Sequence, residues 1–207
     1  DASKPVTLQL PMRDEVKVTQ SAVAPRAGYL IPAAQAAWLA PKLRDHGIVF
    51  ETLSAARSAV PVQSWRASKV KLSRSSFEGH TAFTLSGAWA DDTRDLPAGS
   101  LYVPIAQARS RLVMSLLEPA APDSYASWGF FAAAFERKEY MEPYVAEQVA
   151  QQMLKDPAVQ KEFNAQLATD KDFARDPQAR LDFFYRRHPS WDERFNLYPV
   201  YRLDRAP

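Results

Sequence analysis

The feature of this chain that most constrains its fold is a change of residue pattern near Pro119. Before it, residues 59–103 contain short runs in which apolar and polar side chains alternate, and this alternation indicates β-strands. After it, residues 141–153 repeat an apolar side chain every four positions, which indicates one face of a helix. We therefore expect an α+β fold. A mixed β-sheet with flanking helices should occupy residues 1–118, and a mainly helical region in residues 119–207 should pack on it, as a second domain or as part of one continuous domain.

Residues 28–53 form the clearest local unit. Gly28–Ile31 is a short apolar strand, and Ala33–Asp45 is rich in Ala and Leu, which are good helix formers. Gly47 suits the end of that helix, and Ile48 begins a second strand. The unit is about as long as the shortest strand–helix–strand crossover.

Five further elements are predicted from shorter patterns. Val6–Leu10 alternates like a strand, and Asp91–Gly99 has the composition of a polar loop. Asp156 and Asp176 each precede a proline, a combination that favours the start of a helix. The tail from Asn196 to Tyr201 reads as an extended segment that adds an edge strand to the sheet.

The overall composition excludes several classes of function. The net charge is only +2, which gives no reason to expect a nucleic acid as partner. The absence of cysteine excludes disulfides, thiolate zinc sites and cysteine nucleophiles. No apolar run has the length of a membrane span, and no signal peptide opens the chain. Asp1–Pro5 resembles a linker, so we expect the chain to be a fragment.

The three histidines do not form a recognisable metal site. His46, His80 and His188 are far apart in the sequence, and none has a carboxylate or a second histidine three residues later, as a zinc peptidase helix requires. The spacing of the six glycines excludes a dinucleotide fingerprint and a phosphate loop. No Gly-x-Ser-x-Gly nucleophile motif is present. We therefore assign no catalytic and no metal-binding residue.

A charged segment near residue 188 is the best candidate for a polar site. Arg186 and Arg187 precede His188, and Asp192 and Glu193 follow it. A carboxylate close to a histidine can tune it as a base, and an arginine pair can bind an anion. The simpler interpretation, which we favour, is a polar helix end whose charges face solvent.

An aromatic cluster follows the change of pattern at Pro119. Its members are Tyr125, Trp128, Phe130, Phe131 and Phe135. Such a cluster is either a platform for a sugar or a peptide, or a part of the core or of an interdomain contact. Of these, packing is the commoner role.

Several of these segments resemble the region that follows the catalytic domain in a group of bacterial zinc carboxypeptidase-like metallopeptidases. The matching stretches span nearly the whole chain, and the later ones are long and unusual in sequence. They are Gly28–Pro32, Leu117–Pro119, Pro122–Ser124, Trp128–Phe131, Phe135–Tyr140, Arg180–Tyr185 and Asn196–Val200.

The resemblance implies a role for the segment but no catalytic residue. The family's catalytic domain binds zinc through a His-x-x-Glu pair and a distant histidine, uses a glutamate as general base and holds the substrate's terminal carboxylate with an arginine. None of these motifs can be placed on this chain. The resemblance thus implies a non-catalytic C-terminal part of an exported peptidase, in the periplasm or cell envelope, with zinc held only by the parent's catalytic domain.

Three hypotheses follow for the function. The first is an accessory domain that packs on the parent's catalytic domain, with a peptide substrate as a further potential partner. It predicts an exposed apolar docking surface, to which the cluster from Tyr125 to Phe135 is assigned. The second is an independent peptide- or glycan-binding module. The third, which we favour least, is a small enzyme that uses His188 with Asp192 or Glu193.

Overall fold

The computed structural model describes residues 3–18, 20–137 and 141–207 of the chain. Of the segments discussed above, Lys138, Glu139 and Tyr140 lie outside the described residues. The strands are β1 (Gly28–Ile31), β2 (Glu51–Thr52), β3 (Arg57–Leu72), β4 (Phe83–Leu96), β5 (Leu101–Pro104) and β6 (Tyr201–Leu203). The helices are α1 (Ala33–Asp45), α2 (Ser110–Leu117), α3 (Ala132–Phe135), α4 (Pro143–Met153), α5 (Pro157–Thr169), α6 (Lys171–Arg175) and α7 (Pro177–Tyr185). The α+β class is confirmed.

The strands form one sheet in the order β2-β5-β1-β6-β3-β4. Every strand pair in the described residues is antiparallel, so the prediction of mixed pairing is corrected. The short strand β6 lies between β1 and β3, whereas the tail was expected to add an edge strand. Its central place is set by partners on both sides, since Tyr29 pairs with Arg202 and Arg202 pairs with Gln63.

The strand–helix–strand unit at residues 28–53 is present, but its second strand, β2, begins at Glu51 and not at Ile48 as expected. Strands β1 and β2 both pair with β5, which lies between them, and α1 connects them across that strand. Gly47 follows the end of α1 with φ +65°, a conformation in which glycine avoids the steric strain of a Cβ atom. Leu39 and Leu43 direct the helix onto the sheet and are fully buried.

A long hairpin of β3 and β4 dominates the other half of the sheet. Its tip is a tight turn in which Phe77 and His80 are joined by two backbone hydrogen bonds of 2.8 and 2.9 Å. Residues 91–96, predicted as a loop, belong to β4. The reason is tertiary, because β3 supplies ladder partners for this polar stretch, such as Val62 for Asp92.

The N-terminal segment is not a strand. Residues 5–18 have no regular secondary structure, and the expected strand at Val6–Leu10 is therefore wrong. Its alternating pattern fits a strand, but no other strand pairs with it in the described part of the chain. A single extended segment cannot satisfy its backbone groups internally, so the pattern alone does not produce a strand.

The main core lies between one face of the sheet and the helices α1 and α2. It includes Trp65 from β3 and also Tyr125 and Tyr198 from the second half of the chain, so it crosses the boundary predicted at residue 118. A smaller apolar cluster lies on the opposite face and includes Leu30 and Tyr102. Successive strand residues thus serve opposite faces, as the pleat requires.

A third apolar cluster holds helices α4 to α7 together. Its buried members are Ala150, Phe173, Phe183 and Phe184, and Phe163 packs against the three phenylalanines. The N-caps predicted at Asp156 and Asp176 are confirmed, because each side chain accepts a hydrogen bond from a backbone N–H of the first helical turn. Asp170 caps α6 in the same way, a start that the sequence pattern did not reveal.

Candidate functional site

The aromatic cluster from Tyr125 to Phe135, called the aromatic segment below, divides into a buried set and a partly exposed set. Tyr125, Phe131 and Phe135 are at most 6% exposed and belong to the main core. A docking surface cannot use these three side chains, because the chain's own core already covers them. Trp128 and Phe130 are half-buried, and they carry what remains of the predicted surface.

Gly129 allows these two side chains to face outward. Its φ is +81°, and a Cβ at this position would lie 2.6 Å from the carbonyl oxygen of Thr81. Backbone of the β3–β4 hairpin therefore passes directly against the aromatic segment, and only glycine fits without displacement. Ser127 strengthens the contact, since its carbonyl oxygen accepts a 2.7 Å hydrogen bond from the Phe83 N–H.

Trp128 and Phe130 line an open cleft of about 350 Å³ beside the C-terminal turn of α1. The cleft combines apolar, acidic and basic side chains. They are Lys42, Asp45, His46, Leu116, Asp123, Tyr125, Trp128 and Phe130. A lining of this kind offers both apolar surface and hydrogen-bonding groups to a ligand.

Two polar contacts fix the walls of the cleft. The Lys42 ammonium lies 4.9 Å from the centroid of the Phe130 ring, a cation–π distance. The Trp128 indole N–H donates a 3.3 Å hydrogen bond to Asp123 Oδ1. Asp45 is exposed, and its carboxylate makes no hydrogen bond or ion pair to any described residue. The cleft therefore offers a free acceptor on one side.

Tyr125 contributes an unsatisfied polar group beside the cleft. Its hydroxyl is buried and has no hydrogen-bond partner among the described residues. Burial, and to a smaller extent the nearby charge of Asp45, raises the pKa of Tyr125. The hydroxyl therefore stays protonated at neutral pH and keeps both its donor and its acceptor capacity unused.

The tip of the β3–β4 hairpin extends the aromatic surface beyond the cleft. The ring of Phe77 is 6.2 Å from that of Trp128, and the ring of His80 is 4.8 Å from that of Phe130. Phe77 is 65% exposed, which is unusual for so large an apolar side chain. Phe77, His80, Trp128 and Phe130 thus form one surface, which we call the aromatic face.

The structure brings together two of the polar candidates near residue 188: Arg186 and Arg187 line one open cleft with residues of α6 and α7, and His188 and Asp192 do not line it. The guanidinium of Arg187 pairs with Glu162 at 2.6 Å and lies over the Phe183 ring. His188 Nδ1 is 2.8 Å from the hydroxyl of Ser190.

The other two candidates in this segment also have separate contacts. Arg186 lies over the Trp191 ring, and Asp192 Oδ1 accepts a hydrogen bond from the Arg194 N–H. No hydrogen bond joins His188 to Asp192 among the described residues.

A buried charge cluster was missed in the sequence. Glu118, at the end of α2, is 6% exposed and accepts hydrogen bonds from three side chains. Tyr29 donates its hydroxyl, Arg202 forms an ion pair with 2.6 and 2.9 Å contacts, and Trp89 donates its indole N–H at 3.2 Å. The guanidinium of Arg202 also lies 4.4 Å from the Trp89 ring centroid. The sequence shows only a single acidic residue directly after an apolar helix, and this pattern does not indicate which distant residues bind it.

The cluster joins distant parts of the chain without opening to solvent. Burial, followed by the charge of Glu118, raises the pKa of Tyr29 far above its ordinary range. The same two causes raise the pKa of Tyr198, whose hydroxyl donates to the Leu117 carbonyl oxygen at 3.1 Å. Each of these groups already has a partner within the core, so the cluster links β1, β4 and β6 to the end of α2.

A long apolar arm precedes the folded part of the chain. Residues 3–24 are exposed wherever they are described, and seven large apolar side chains of this arm are 73% to 98% exposed. They are Val6, Leu8, Leu10, Met12, Val16, Val18 and Val23. Soluble monomers rarely expose so many apolar side chains in succession, and such segments mark interaction sites.

Among the described residues, no group of three or more His, Cys, Asp and Glu side chains is placed to hold a metal ion. Within the same part of the chain, none of the helices has the length and apolar character needed to cross a membrane.

Comparisons with known proteins returned no relative: no family model, no curated protein and no solved structure matches this chain.

Proposed function

We propose that this chain is a non-catalytic accessory region of an exported zinc carboxypeptidase-like peptidase, and that the arm docks it onto the parent's catalytic domain. The zinc and the peptide-cleaving residues belong to that catalytic domain, where the peptide substrate also binds. The periplasm or the cell envelope is the location that this parent implies.

The single observation of the structure that supports the docking part of the proposal is the exposure of the arm. Val6, Leu8 and Leu10 are each more than 70% exposed, although they alternate as the residues of a half-buried strand do. Burying an apolar side chain of this size contributes roughly 1.5–3 kcal/mol. An arm that leaves seven such side chains in water is therefore suited to a partner surface outside the described residues.

The pattern of the arm indicates how it would bind. Val6, Leu8 and Leu10 fall on one side of an extended segment, and Thr7 and Gln9 fall on the other. An extended segment of this kind can add a strand to an exposed sheet edge, where backbone hydrogen bonds give affinity and the apolar side gives register. The accessory region would then be attached by strand addition and not by a catalytic contact.

The first experiment is to read the coding sequence upstream of Asp1. We expect an in-frame catalytic domain that contains a His-x-x-Glu pair and a distant histidine. A reading frame without such a domain would overturn the proposal. As a biochemical complement, the purified chain with added zinc should release no C-terminal amino acid from peptides, and zinc-dependent release would contradict the non-catalytic assignment.

The second experiment tests the arm with matched variants. The catalytic domain and the 207-residue chain are expressed separately and mixed, and association is followed by size-exclusion chromatography. The double variant Leu8→Asp with Leu10→Asp should abolish co-elution, because it charges the apolar side. The control Thr7→Asp with Gln9→Asp adds the same charge on the other side and should retain it. Equal loss in both variants would argue against strand-like docking.

A further inference from the structure

We infer that the cleft beside the C-terminal turn of α1 is a binding site for a neutral sugar ring, and that the aromatic face extends it for an oligosaccharide. This inference goes beyond the accessory role and does not rest on it, because the cleft is formed by the folded part of the chain and not by the arm.

The size of the cleft is the first argument. Its volume of about 350 Å³ is at the lower end of the range for ligand pockets, roughly 300–1,000 Å³. The cleft is open to solvent, so a ring within a longer chain can enter while the neighbouring rings remain outside. A compact ligand such as one or two sugar rings fits this shape better than a folded partner.

The charge of the lining is the second argument. The lining contains one ammonium, that of Lys42, two carboxylates, those of Asp45 and Asp123, and the imidazole of His46. An anionic ligand would be repelled by this balance. A cationic ligand would have to compete with Lys42 for the Phe130 ring, which that ammonium already covers at 4.9 Å. A neutral ligand with hydroxyl groups meets neither obstacle.

The chemistry of a pyranose matches the remaining features. Its ring presents an apolar C–H face, which can stack on Trp128, and a rim of hydroxyl groups, which can donate to carboxylates. Asp45 has no hydrogen-bond partner among the described residues, and Asp123 accepts one hydrogen bond from the Trp128 indole. Carboxylates accept several hydrogen bonds each, so both retain capacity for sugar hydroxyls.

Tyr125 provides an independent indication of a ligand. It is 6% exposed, it lines the cleft, and its hydroxyl has no partner among the described residues. A buried hydroxyl without a partner destabilises the free protein, and most native structures avoid it. A ligand whose hydroxyl reaches Tyr125 would satisfy this group and would recover that cost on binding.

The aromatic face indicates an oligosaccharide and not a single sugar. Phe77, from the hairpin tip, is 65% exposed and stands 6.2 Å from Trp128 in a tilted arrangement. A second ring of a bound oligosaccharide can therefore pack on Phe77 while the first occupies the cleft. Removal of Phe77 should weaken a hexasaccharide and leave a monosaccharide unaffected.

The test is a calorimetric titration of the full chain with four neutral hexasaccharides: cellohexaose, chitohexaose, maltohexaose and mannohexaose. We expect saturable binding of at least one. Hexagalacturonate, which is anionic, and a trilysine peptide, which is cationic, should not bind. Absence of binding to all four neutral probes up to about 10 mM, or binding of trilysine alone, would overturn the inference.

Variants assign the binding to the cleft. Trp128→Ala should weaken binding about tenfold, and Phe77→Ala about threefold, whereas Trp191→Ala removes a half-buried tryptophan outside the cleft and should have no effect. Tyr125→Phe should weaken binding about threefold while raising the Tm of the free chain, a combination that a purely structural role would not produce. Because Phe77 is exposed, its variant keeps the test valid if Trp128→Ala does not fold. Equal affinities of Phe77→Ala and the unchanged protein for the bound hexasaccharide would contradict the aromatic face.

Discussion

Glu118 is a buried residue whose carboxylate binds three other side chains. Its carboxylate neutralises Arg202 and accepts from Tyr29 and Trp89, all within a region that excludes water. Desolvating a charge pair costs about as much as the pair returns, so such a pair adds little net stability over an apolar core. Removing one partner, in contrast, destabilises the protein, because it leaves the other charge buried and uncompensated.

Replacing Glu118 should therefore be strongly destabilising. Glu118→Gln keeps the size of the side chain but leaves the Arg202 guanidinium, whose side chain is 11% exposed, without its counter-charge. We expect a loss of about 3 kcal/mol in the free energy of unfolding, measured by urea denaturation. The control Glu162→Gln breaks the exposed pair with Arg187 and should cost less than about 1 kcal/mol. Similar losses in the two variants would contradict this account.

Tyr29 gives the same cluster a measurable pH dependence. Burial and Glu118 hold the pKa of Tyr29 above its ordinary value, so above pH ~10 the folded chain keeps a proton that the unfolded chain has lost. The contribution of Tyr29 is therefore fully present below pH ~10 and declines as the pH rises further. Urea midpoints at pH 8, 9.5 and 11 should fall more steeply for the unchanged protein than for Tyr29→Phe. Parallel curves would show that Tyr29 is not responsible.

The sequence indicated an aromatic surface but not which of its aromatic side chains would be exposed. All five residues of the aromatic segment were assigned to one surface, but three of them lie in the core. Residue type could not separate Phe130 from Phe131, because the turn at Gly129 decides which ring faces inward. Phe77, which extends the same surface, lies far from this segment in the sequence, and only the folded hairpin brings its ring to 6.2 Å from that of Trp128.

At the scale of elements, the contact between the β3–β4 hairpin and the aromatic segment depends on glycine. Gly129 and Gly79 have almost the same backbone conformation, with φ of +81° and +79°. They differ in their surroundings, because a Cβ at Gly129 would meet the Thr81 carbonyl oxygen at 2.6 Å, and a Cβ at Gly79 would meet no atom within 4 Å. Alanine substitutions at the two positions therefore separate the effect of backbone strain on stability from the effect of steric overlap.

This pair of glycines yields a direct comparison. Gly79→Ala should cost about 1 kcal/mol of stability, the usual penalty for an alanine in the left-handed region. Gly129→Ala should cost about 2 kcal/mol or more, because the hairpin must also move away from the aromatic segment. Thermal unfolding followed by circular dichroism measures both. Equal losses of stability would mean that the hairpin can move away from the aromatic segment without a cost in free energy.

Local patterns predicted those elements whose stability is local. The N-caps at Asp156 and Asp176 satisfy backbone groups one turn away, so the sequence alone identified them. The stretch from Asp91 to Leu96 was misread, because its strand conformation comes from β3 and not from its own polar residues. Val6–Leu10 is the opposite case. Its residue pattern is that of a strand, but it forms none, because no strand among the described residues pairs with it.

At the scale of the whole molecule, the arm and the folded part are energetically separate. The arm buries almost none of its apolar surface, and its described links to the rest include a 3.4 Å hydrogen bond from Gln20 to the Ala120 carbonyl oxygen. Exposed side chains of this kind contribute little to the free energy of unfolding. Under the proposed function, the arm provides a surface for association instead.

Deleting residues 1–24 should therefore leave the stability of the chain nearly unchanged. We expect a change of less than about 1 kcal/mol in the free energy of unfolding, together with a clear decrease in the fluorescence of a bound hydrophobic dye. The truncated and the complete chain are compared at equal concentration by urea denaturation and dye titration. A large loss of stability would show that the arm packs on the folded part in solution.

The position of β6 has a consequence for how the protein is made. This strand is synthesised after all the others, yet it lies in the middle of the sheet, between β1 and β3. A nascent chain that has not yet reached Tyr201 can pair β2, β5 and β1 with one another, and β3 with β4, but it cannot join the two groups through β6. On the ribosome the two half-sheets must wait for the last strand, with their inner edges open to other chains. Chaperone capture during synthesis would protect the open edges in this interval, and a tag that delays release of the C-terminus would prolong their exposure.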